Sequence, residues 1–392
     1  MVKIAYFVHD LADPAVAKRV RMLRAGGAEV ALFGFRRSEA LPAIEGLETL
    51  VDLGRTHDAQ FGQRMAKLAA QAPRAAGWGA ILRRADVVMA RNLEMLLLAS
   101  LARALHRPSA GLVYECLDVH RLMLSDGLPG RLLRGLERGL MRRADRLIVS
   151  SPAFLTAYFE PRQGLGGKLR VPVELVENKL FEPRPPGPTE PPPRPAGPPW
   201  RIGWYGAIRC RRSLDMLTEL ASRRPDLVQV SIRGKPSYTE FADFDGQVAE
   251  TPGVSFGGPY TAADLERLYA DVHFSWAVDY FEAGANSNWL LPNRIYEGGR
   301  YGAVPLALRE VETGRWLARR GLGVLMQDPA SELEPFLESL DPARFGALEA
   351  ASRAAPVEAF VADLEDCVGL VAALAETRPR RETLSAFSPR PG

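Results

Sequence analysis

Arg294 and Glu297 stand three residues apart in the stretch Leu291-Pro292-Asn293-Arg294-Ile295-Tyr296-Glu297-Gly298-Gly299-Arg300-Tyr301-Gly302-Ala303-Val304-Pro305. That spacing sets a cation and a carboxylate on one face of a helix. Pro292 and Asn293 predict the helix start, the Asn side chain meeting free backbone N–H groups, and Gly302 predicts its end. The apolar run that follows reads as a buried strand. A helix N-terminus attracts an anion, and an Arg in the first turn adds charge-assisted hydrogen bonds to a phosphate. Glu297, one turn further in, can accept hydrogen bonds from a diol such as the two ribose hydroxyls. The same spacing also fits a solvated ion-pair face of Arg294, Glu297 and Arg300, and both readings stand.

Other chemistry-bearing residues fall just after apolar runs. His9, Asp10 and Asp13 follow the first run, and Asp118 and His120 follow Gly111 to Glu115. His9, Asp118 and His120 are the candidate catalytic groups, because His and Asp reach a useful pKa for general-base work when partly buried; helix capping and ion pairing are the alternatives. Arg209, Arg211 and Arg212 precede a predicted helix and can hold a diphosphate by bidentate contacts. Lys235 in Arg233-Gly234-Lys235 is a second cationic candidate, and either group also suits a solvated surface. Gly206, Gly257 and Gly258 at strand ends let a backbone approach a ligand closely. Asp243-Phe244-Asp245 is only superficially a metal pair. Neither a G-x-G-x-x-G nor a phosphate-loop Lys pattern stands at a strand-to-helix junction, which counts against dinucleotide oxidoreductases and nucleotide triphosphatases.

Alternating short elements must position these groups. The first half reads strand 4–8, helix to Ala25 ended by Gly26-Gly27, strand 29–33, strand 86–90, helix 94–105, strand 111–115, helix 130–143, strand 146–150 and helix 152–159. The second reads strand 201–205, helix 213–221, strands 227–233 and 254–256, helix 262–270, strand 272–276, the opening helix, strand 303–308, helices near 312–320 and 333–340, and a long helical pattern over 357–375. Such alternation predicts an α/β fold of two doubly wound Rossmann-like domains facing a cleft, with ligands at the carboxyl ends of the strands. The expected domains are residues 1–181 on the acceptor side, a proline-rich linker 182–199, a ligand-binding domain 200–355, a helix 356–376 bracing the first domain and a frayed tail 377–392. Polyproline character supports the linker.

With 392 residues the chain exceeds one ordinary core. A net charge of +3, with Arg dispersed among acids, argues against nucleic acid. Three separated cysteines, Cys116, Cys210 and Cys367, indicate neither zinc nor disulfides and suit a reducing compartment. No signal peptide or membrane span is evident, so a cytoplasmic protein is expected. Residues 130–146 are basic and amphipathic. Leu132, Leu133, Leu136, Leu140 and Met141 form one stripe, read as a core face, while the Arg residues leave open a contact with an anionic membrane. Residues 63–84, with Lys67, Arg74, Arg83, Arg84 and the exposed-looking Trp78, are a second such stretch.

The Leu-Pro-Asn-Arg through Glu297 stretch, with Gly302 and Pro305 after it, resembles the nucleotide-sugar signature of GT-B glycosyltransferases of the family 4 type, L-P-x-K-x-x-E followed by G-x-P-V. Weaker counterparts are the Asp13–Arg24 segment, the run from Arg143 to Ser151, the Gly206 region and the stretch from Val254 to Tyr269, so the resemblance spans most of the chain. It implies a metal-independent hexosyltransferase with no cofactor, taking a UDP or GDP sugar as donor and a glycan or lipid-linked acceptor in bacterial polysaccharide assembly, peripheral on the inner face of the cytoplasmic membrane. Carried over, Glu297 binds the ribose, Arg294 with Asn293, the helix start and Arg209 lies near the diphosphate, and Gly257, Gly258 and Tyr260 lie near the base. Trp289 stands where many members have a first Glu, and Arg294 replaces the usual Lys. A nucleotide-sugar 2-epimerase of the same fold and a noncatalytic nucleotide-sugar binder are the competing readings.

Overall fold

The computed structural model describes residues 1–37, 39, 41, 44, 46, 47, 49–56, 71, 73–184, 194 and 196–377. The chain divides into two compact units, Met1–Val149 with Phe159–Glu174 and Glu365–Gly392, and Ser150–Tyr158 with Leu175–Leu364.

The first unit is built on the seven strands β1 (Val2–Val8), β2 (Ala28–Arg36), β3 (Thr49–Arg55), β4 (Val87–Arg91), β5 (Gly111–Cys116), β6 (Arg146–Val149) and β7 (Val173–Leu175), in the order β3-β2-β1-β4-β5-β6-β7. The registers of β1 with β2 and β4, of β2 with β3, and of β4 with β5 with β6 are parallel. The chain order reverses between β1 and β4, where an open sheet of this kind gathers ligands at its carboxyl ends. Two-sided burial explains the near-continuous apolar strands; every residue of β4 and β5 is buried. Helix α1 (Pro14–Ala25) starts where the Asp13 side chain accepts the Ala15 N–H at 2.8 Å. Helix α2 (Leu93–His106) follows β4 after Asn92, which has φ of 71°.

Helix α3 (Leu128–Met141) departs from its expected orientation. Leu140 and Met141 are buried as expected, but Leu132 is 65% exposed, and the two charged residues Arg134 and Glu137 face inward. Arg134 donates to the carbonyls of Met123 and Ser125 at 2.6 and 2.7 Å, and Glu137 accepts from the Tyr114 hydroxyl at 2.8 Å. Satisfied polar groups thus displace leucines from the inner face, which residue type alone does not reveal. Trp78, expected at the surface, is buried against Phe33 at 5.4 Å and Phe7 at 6.0 Å. Lys67 lies outside the described residues.

In the second unit, β8 (Leu180–Phe181) precedes a six-stranded sheet of β9 (Trp200–Ile208), β10 (Val228–Pro236), β11 (Val254–Phe256), β12 (Phe274–Trp276), β13 (Val304–Leu308) and β14 (Val324–Met326), in the order β11-β10-β9-β12-β13-β14. All five strand pairings are parallel. Helices α4 (Arg211–Arg223), α5 (Leu265–Ala270) and α6 (Asn293–Arg300) follow β9, β11 and β12. The core runs from Trp200 and Trp204 through Phe274 and Trp276 to Phe345. Helices over Phe244–Glu250 and Pro342–Ala354 and the strands β3, β7, β8 and β14 add to the expected set.

Residues 182–199, expected as a linker, fall within the second unit, and 185–193 with 195 lie outside the described residues. The helical pattern over 357–375 is broken into a single turn Val357–Ala359, a short strand β15 (Val361–Ala362) and helix α7 (Leu364–Ala375). The break follows from pairing: the Leu180 N–H donates to the Phe360 carbonyl at 2.9 Å, and β15 lies parallel to β8. Within the first unit α7 packs so tightly that a Cβ on Gly26 would stand 2.2 Å from the Cys367 carbonyl oxygen. Asp243, half of the metal-like pair, caps the helix Phe244–Glu250 by accepting from Gly246 N at 2.9 Å.

Candidate functional site

Helix α6 lies close against the sheet because two glycines let it. A Cβ on Gly298 would stand 2.9 Å from the Ser275 side chain, and one on Gly299 would strike the Phe360 ring at 2.2 Å. The helix runs into Gly302, whose φ of 75° turns the chain toward β13. Pro292 is the N-cap, and no side chain caps this end. Asn293 is the first helical residue and is exposed, so its expected capping role is not the one observed. A helix start with no side-chain cap offers its backbone N–H groups outward.

Arg294 is half-buried, its Nη1 donating to the Trp276 carbonyl at 3.1 Å, while its own carbonyl accepts from Ser275 Oγ at 3.1 Å. Glu297 Oε2 accepts from the Tyr269 hydroxyl at 3.0 Å, and the Tyr260 phenol lies within reach of the Glu297 charge. Burial, with the Glu297 charge behind it, pushes both phenols upward, Tyr269 well above the ordinary tyrosine range, so both remain protonated. Tyr205 stands beneath, 5.0 Å from Tyr269 and 6.2 Å from Tyr260 between ring centroids, and burial lifts its hydroxyl to about 12. Arg300 pairs with Glu182 at 3.2 Å. The ion-pair face that spacing allowed is therefore replaced by a carboxylate held by a phenol, with a guanidinium one turn before it.

The neighbouring strand ends carry the glycines. Gly206 and Gly234 face each other across β9 and β10 with φ of 111° and 135°, and a Cβ on Gly234 would stand 1.8 Å from the Gly206 carbonyl oxygen. The Gly234 N–H donates to the Gly258 carbonyl at 2.9 Å. Arg233 is committed to the same loop, reaching the carbonyls of Gly258 and Pro259 at 3.2 and 3.3 Å, while Lys235 is exposed. Gly257, Gly258 and Tyr260 thus form one loop after β11, tied to β10. Arg209 stands over the Phe281 ring at 4.7 Å with its guanidinium 3.9 Å from Asp279. Arg211 and Arg212 are exposed and pair with Asp215 and Asp328. Of the residues singled out, Glu297, Arg294 and Tyr260 are the ones brought into one electrostatic group.

Residues 12–171 match the glycosyl transferase 4-like domain. The whole chain is 44% identical over 385 residues to the succinoglycan biosynthesis protein ExoL of Rhizobium meliloti (strain 1021), covering 96% of this chain and 94% of that one. The chain belongs to this glycosyltransferase family. Among solved structures, sucrose-phosphate synthase from Thermosynechococcus elongatus superposes with a TM-score of 0.69 at 16% identity, over 95% of this chain and 98% of that one. WaaG, a glycosyltransferase involved in lipopolysaccharide biosynthesis, superposes with a TM-score of 0.61 at 14% identity, over 95% and 99%. These likenesses show the GT-B fold, as the resemblance implied. The glycosyltransferase is an enzyme that moves a glycosyl group from an activated donor to an acceptor, and the expectation of a transferase, rather than of a 2-epimerase, is the one the comparisons support.

The glycosyltransferase's first unit carries the other candidates. Asp118 and His120 follow β5, and both are exposed, so they lack the partial burial that motivated their choice; His120 Nδ1 accepts the Leu122 N–H at 3.3 Å and caps a short helix. His9 follows β1, is half-buried, and has Nδ1 3.4 Å from Asn92 Nδ2. Asp10 pairs with Arg37 at 3.1 Å. Beneath these loops lies a buried charged group drawn from β1, α1, β4 and β5. Glu115 accepts from Arg91 Nε at 2.7 Å and Arg19 Nε at 2.8 Å and from the Tyr6 hydroxyl. Burial alone would raise its carboxyl, but the two guanidiniums outweigh that and hold it down to about 2. All three cysteines are buried, and none of them forms a disulfide. Among the described residues no three His, Cys, Asp or Glu side chains converge.

Tyr269 and Trp289 carry the rest. Tyr269 went unread because it lies 28 residues before Glu297 on a separate helix. Trp289 packs edge-on against Phe154 at 6.3 Å, and its carbonyl accepts from the Ser151 hydroxyl, so this position serves packing within the second unit.

Proposed function

We propose that the second unit holds a UDP or GDP sugar, and that the enzyme passes the sugar to a glycan or lipid-linked acceptor in bacterial polysaccharide assembly. Glu297 takes the ribose hydroxyls. Arg294, the uncapped start of α6 beside Asn293, and Arg209 neutralise the diphosphate. Gly206 permits close approach of the β9 end, Gly257, Gly258 and Tyr260 border the base, and Lys235 supplies outer positive charge. The observation that carries this reading is the hydrogen bond from Tyr269 to Glu297, one turn after Arg294 at a helix start with no side-chain cap. Departure of a nucleoside diphosphate builds negative charge, and fixed N–H dipoles with an Arg are what stabilise it; we assign that role to protein groups, without a resident metal or cofactor. Acceptor binding is assigned to the first unit, with His9, Asp118 and His120 as the proton-accepting candidates. The relative's name, a succinoglycan biosynthesis protein, supports the polysaccharide setting.

Peripheral work at the inner face of the cytoplasmic membrane has its support in α3 and in the short helix Arg121–Leu124 before it. Leu122, Leu128 and Leu132 are exposed beside the exposed Arg121 and Arg131, the combination that lies in a lipid interface. No helix among the described residues is long and apolar enough to cross a membrane. Thermal melting with UDP, GDP and ADP and their sugars tests the donor: the account predicts a raised Tm with one uridine or guanosine series, since a ligand bound only by the folded state stabilises it. No shift with any of them would remove the nucleotide-sugar reading. Sedimentation with anionic vesicles, lost on Leu128→Asp with Leu132→Asp, tests the membrane contact.

A further inference from the structure

The proline-rich segment sends one charged side chain into the second unit. Arg194 lies where composition predicts extended, solvated chain, yet its side chain is 1% exposed. A guanidinium has five N–H donors, and here each has a partner. Nε reaches the Ala270 carbonyl at 3.0 Å; Nη1 reaches the Gly302 carbonyl at 2.8 Å and Glu349 at 2.6 Å; Nη2 reaches the carbonyls of Tyr269 and Tyr301 at 2.9 and 2.8 Å. The four carbonyls belong to the last residues of α5 and to the residues just past α6, where a helix lacks intrahelical donors and where its dipole favours a cation. One side chain therefore ties two helix ends together.

Those two helices carry the two ends of the Tyr269–Glu297 hydrogen bond. Arg194 grips the backbone of Tyr269, whose hydroxyl holds Glu297, and it grips Tyr301, whose N–H bonds back to the Glu297 carbonyl at 3.3 Å. We propose that Arg194 is a positioning residue for the donor site, fixing α5 against α6 so that Glu297 meets the nucleotide already oriented. The proposal rests on the donor-site reading given above. Lysine cannot replace the fork, because three donors on one nitrogen cannot reach four carbonyls and a carboxylate, and the buried carbonyls left over would be unsatisfied.

The test is calorimetric titration of UDP and GDP into wild type, Arg194→Lys, Tyr269→Phe and the double variant, with donor KM, kcat and Tm measured alongside. Arg194→Lys is expected to weaken nucleotide binding and raise donor KM about tenfold, and this effect shrinks to about twofold in the Tyr269→Phe background, since groups acting through one contact are not additive. A lowered Tm with unchanged nucleotide affinity, or full additivity with Tyr269→Phe, would overturn the proposal. Should Arg194→Lys not fold, Glu349→Gln loosens the same guanidinium from the edge, and a nucleotide affinity equal to wild type would count against the proposal equally. Glu297→Ala separates the two claims. If it binds nucleotide normally the donor-site reading fails; if it loses binding while Arg194→Lys keeps it, only the role of Arg194 falls.

Discussion

Each unit of this glycosyltransferase sets a carboxylate among tyrosine and arginine, and the two do opposite things. Glu115 is fully buried and neutralised by Arg91 and Arg19 at 2.7 and 2.8 Å, with the Tyr6 hydroxyl completing its shell. Glu297 is half-buried and accepts from the Tyr269 phenol, with Tyr260 close by. In the first unit the charge is spent inside the fold: Arg91 also reaches Asp13, the cap of α1, at 3.6 Å, so the cluster fastens the β1–α1 turn to β4 and β5. In the second unit a neutral donor orients the carboxylate, and on the proposed reading its charge is left for the donor nucleotide. Paired guanidiniums neutralise the first carboxylate, and a phenol leaves the second one charged.

The comparison is sharpened most by breaking the buried cluster. Glu115→Ala leaves two guanidiniums buried without their anion, and unfolding in urea should register a loss of about 3 to 5 kcal/mol, against about 1 kcal/mol for Glu297→Ala, which costs chiefly a phenol partner. Equal losses would erase the distinction. Acid offers the same contrast with no substitution at all. The Glu115 carboxyl is held at about 2 against an ordinary 4.5, so its contribution is fully present above that ordinary value and is lost as pH falls through it toward 2. The expected loss is on the order of 3 kcal/mol, read as a falling Tm between those limits, and absent in Glu115→Gln if that variant folds.

Smaller effects belong to the second unit and appear in binding rather than in stability. Arg294→Ala should weaken nucleotide binding about 10- to 50-fold, the worth of a hydrogen bond to a charged group, with a melting temperature close to wild type. Tyr269→Phe should weaken it about fivefold, because the Glu297 carboxylate remains but is less well oriented. Either variant melting like Glu115→Ala would make the second site structural as well.

Much of this architecture is legible in the sequence, and the exceptions have physical reasons. Alternating β and α elements and the passage from Pro292 to Val304 follow from apolar runs and from Pro and Gly punctuation, which act locally. The inward face of α3 is not legible, because Arg134 and Glu137 are buried by partners that chain order does not reveal: the carbonyls of Met123 and Ser125, and Tyr114. The break at Phe360 depends on pairing with Leu180, far away in the chain. Of the proposed donor site, Arg294 and Glu297 can be read from spacing, since one helix turn joins them. Tyr269 and Arg194 cannot, because they reach that turn from other elements. Asn293 shows the converse failure: its type suits a cap, but Pro292 already occupies that position.

The most direct measurement of the central claim is calorimetric titration of UDP and GDP into wild type and Glu297→Ala. The account predicts that wild type binds one of the two and that Glu297→Ala binds it at least about 100-fold more weakly, the loss of two hydrogen bonds to a carboxylate. Equal affinity in the two proteins, with both folded, would contradict it.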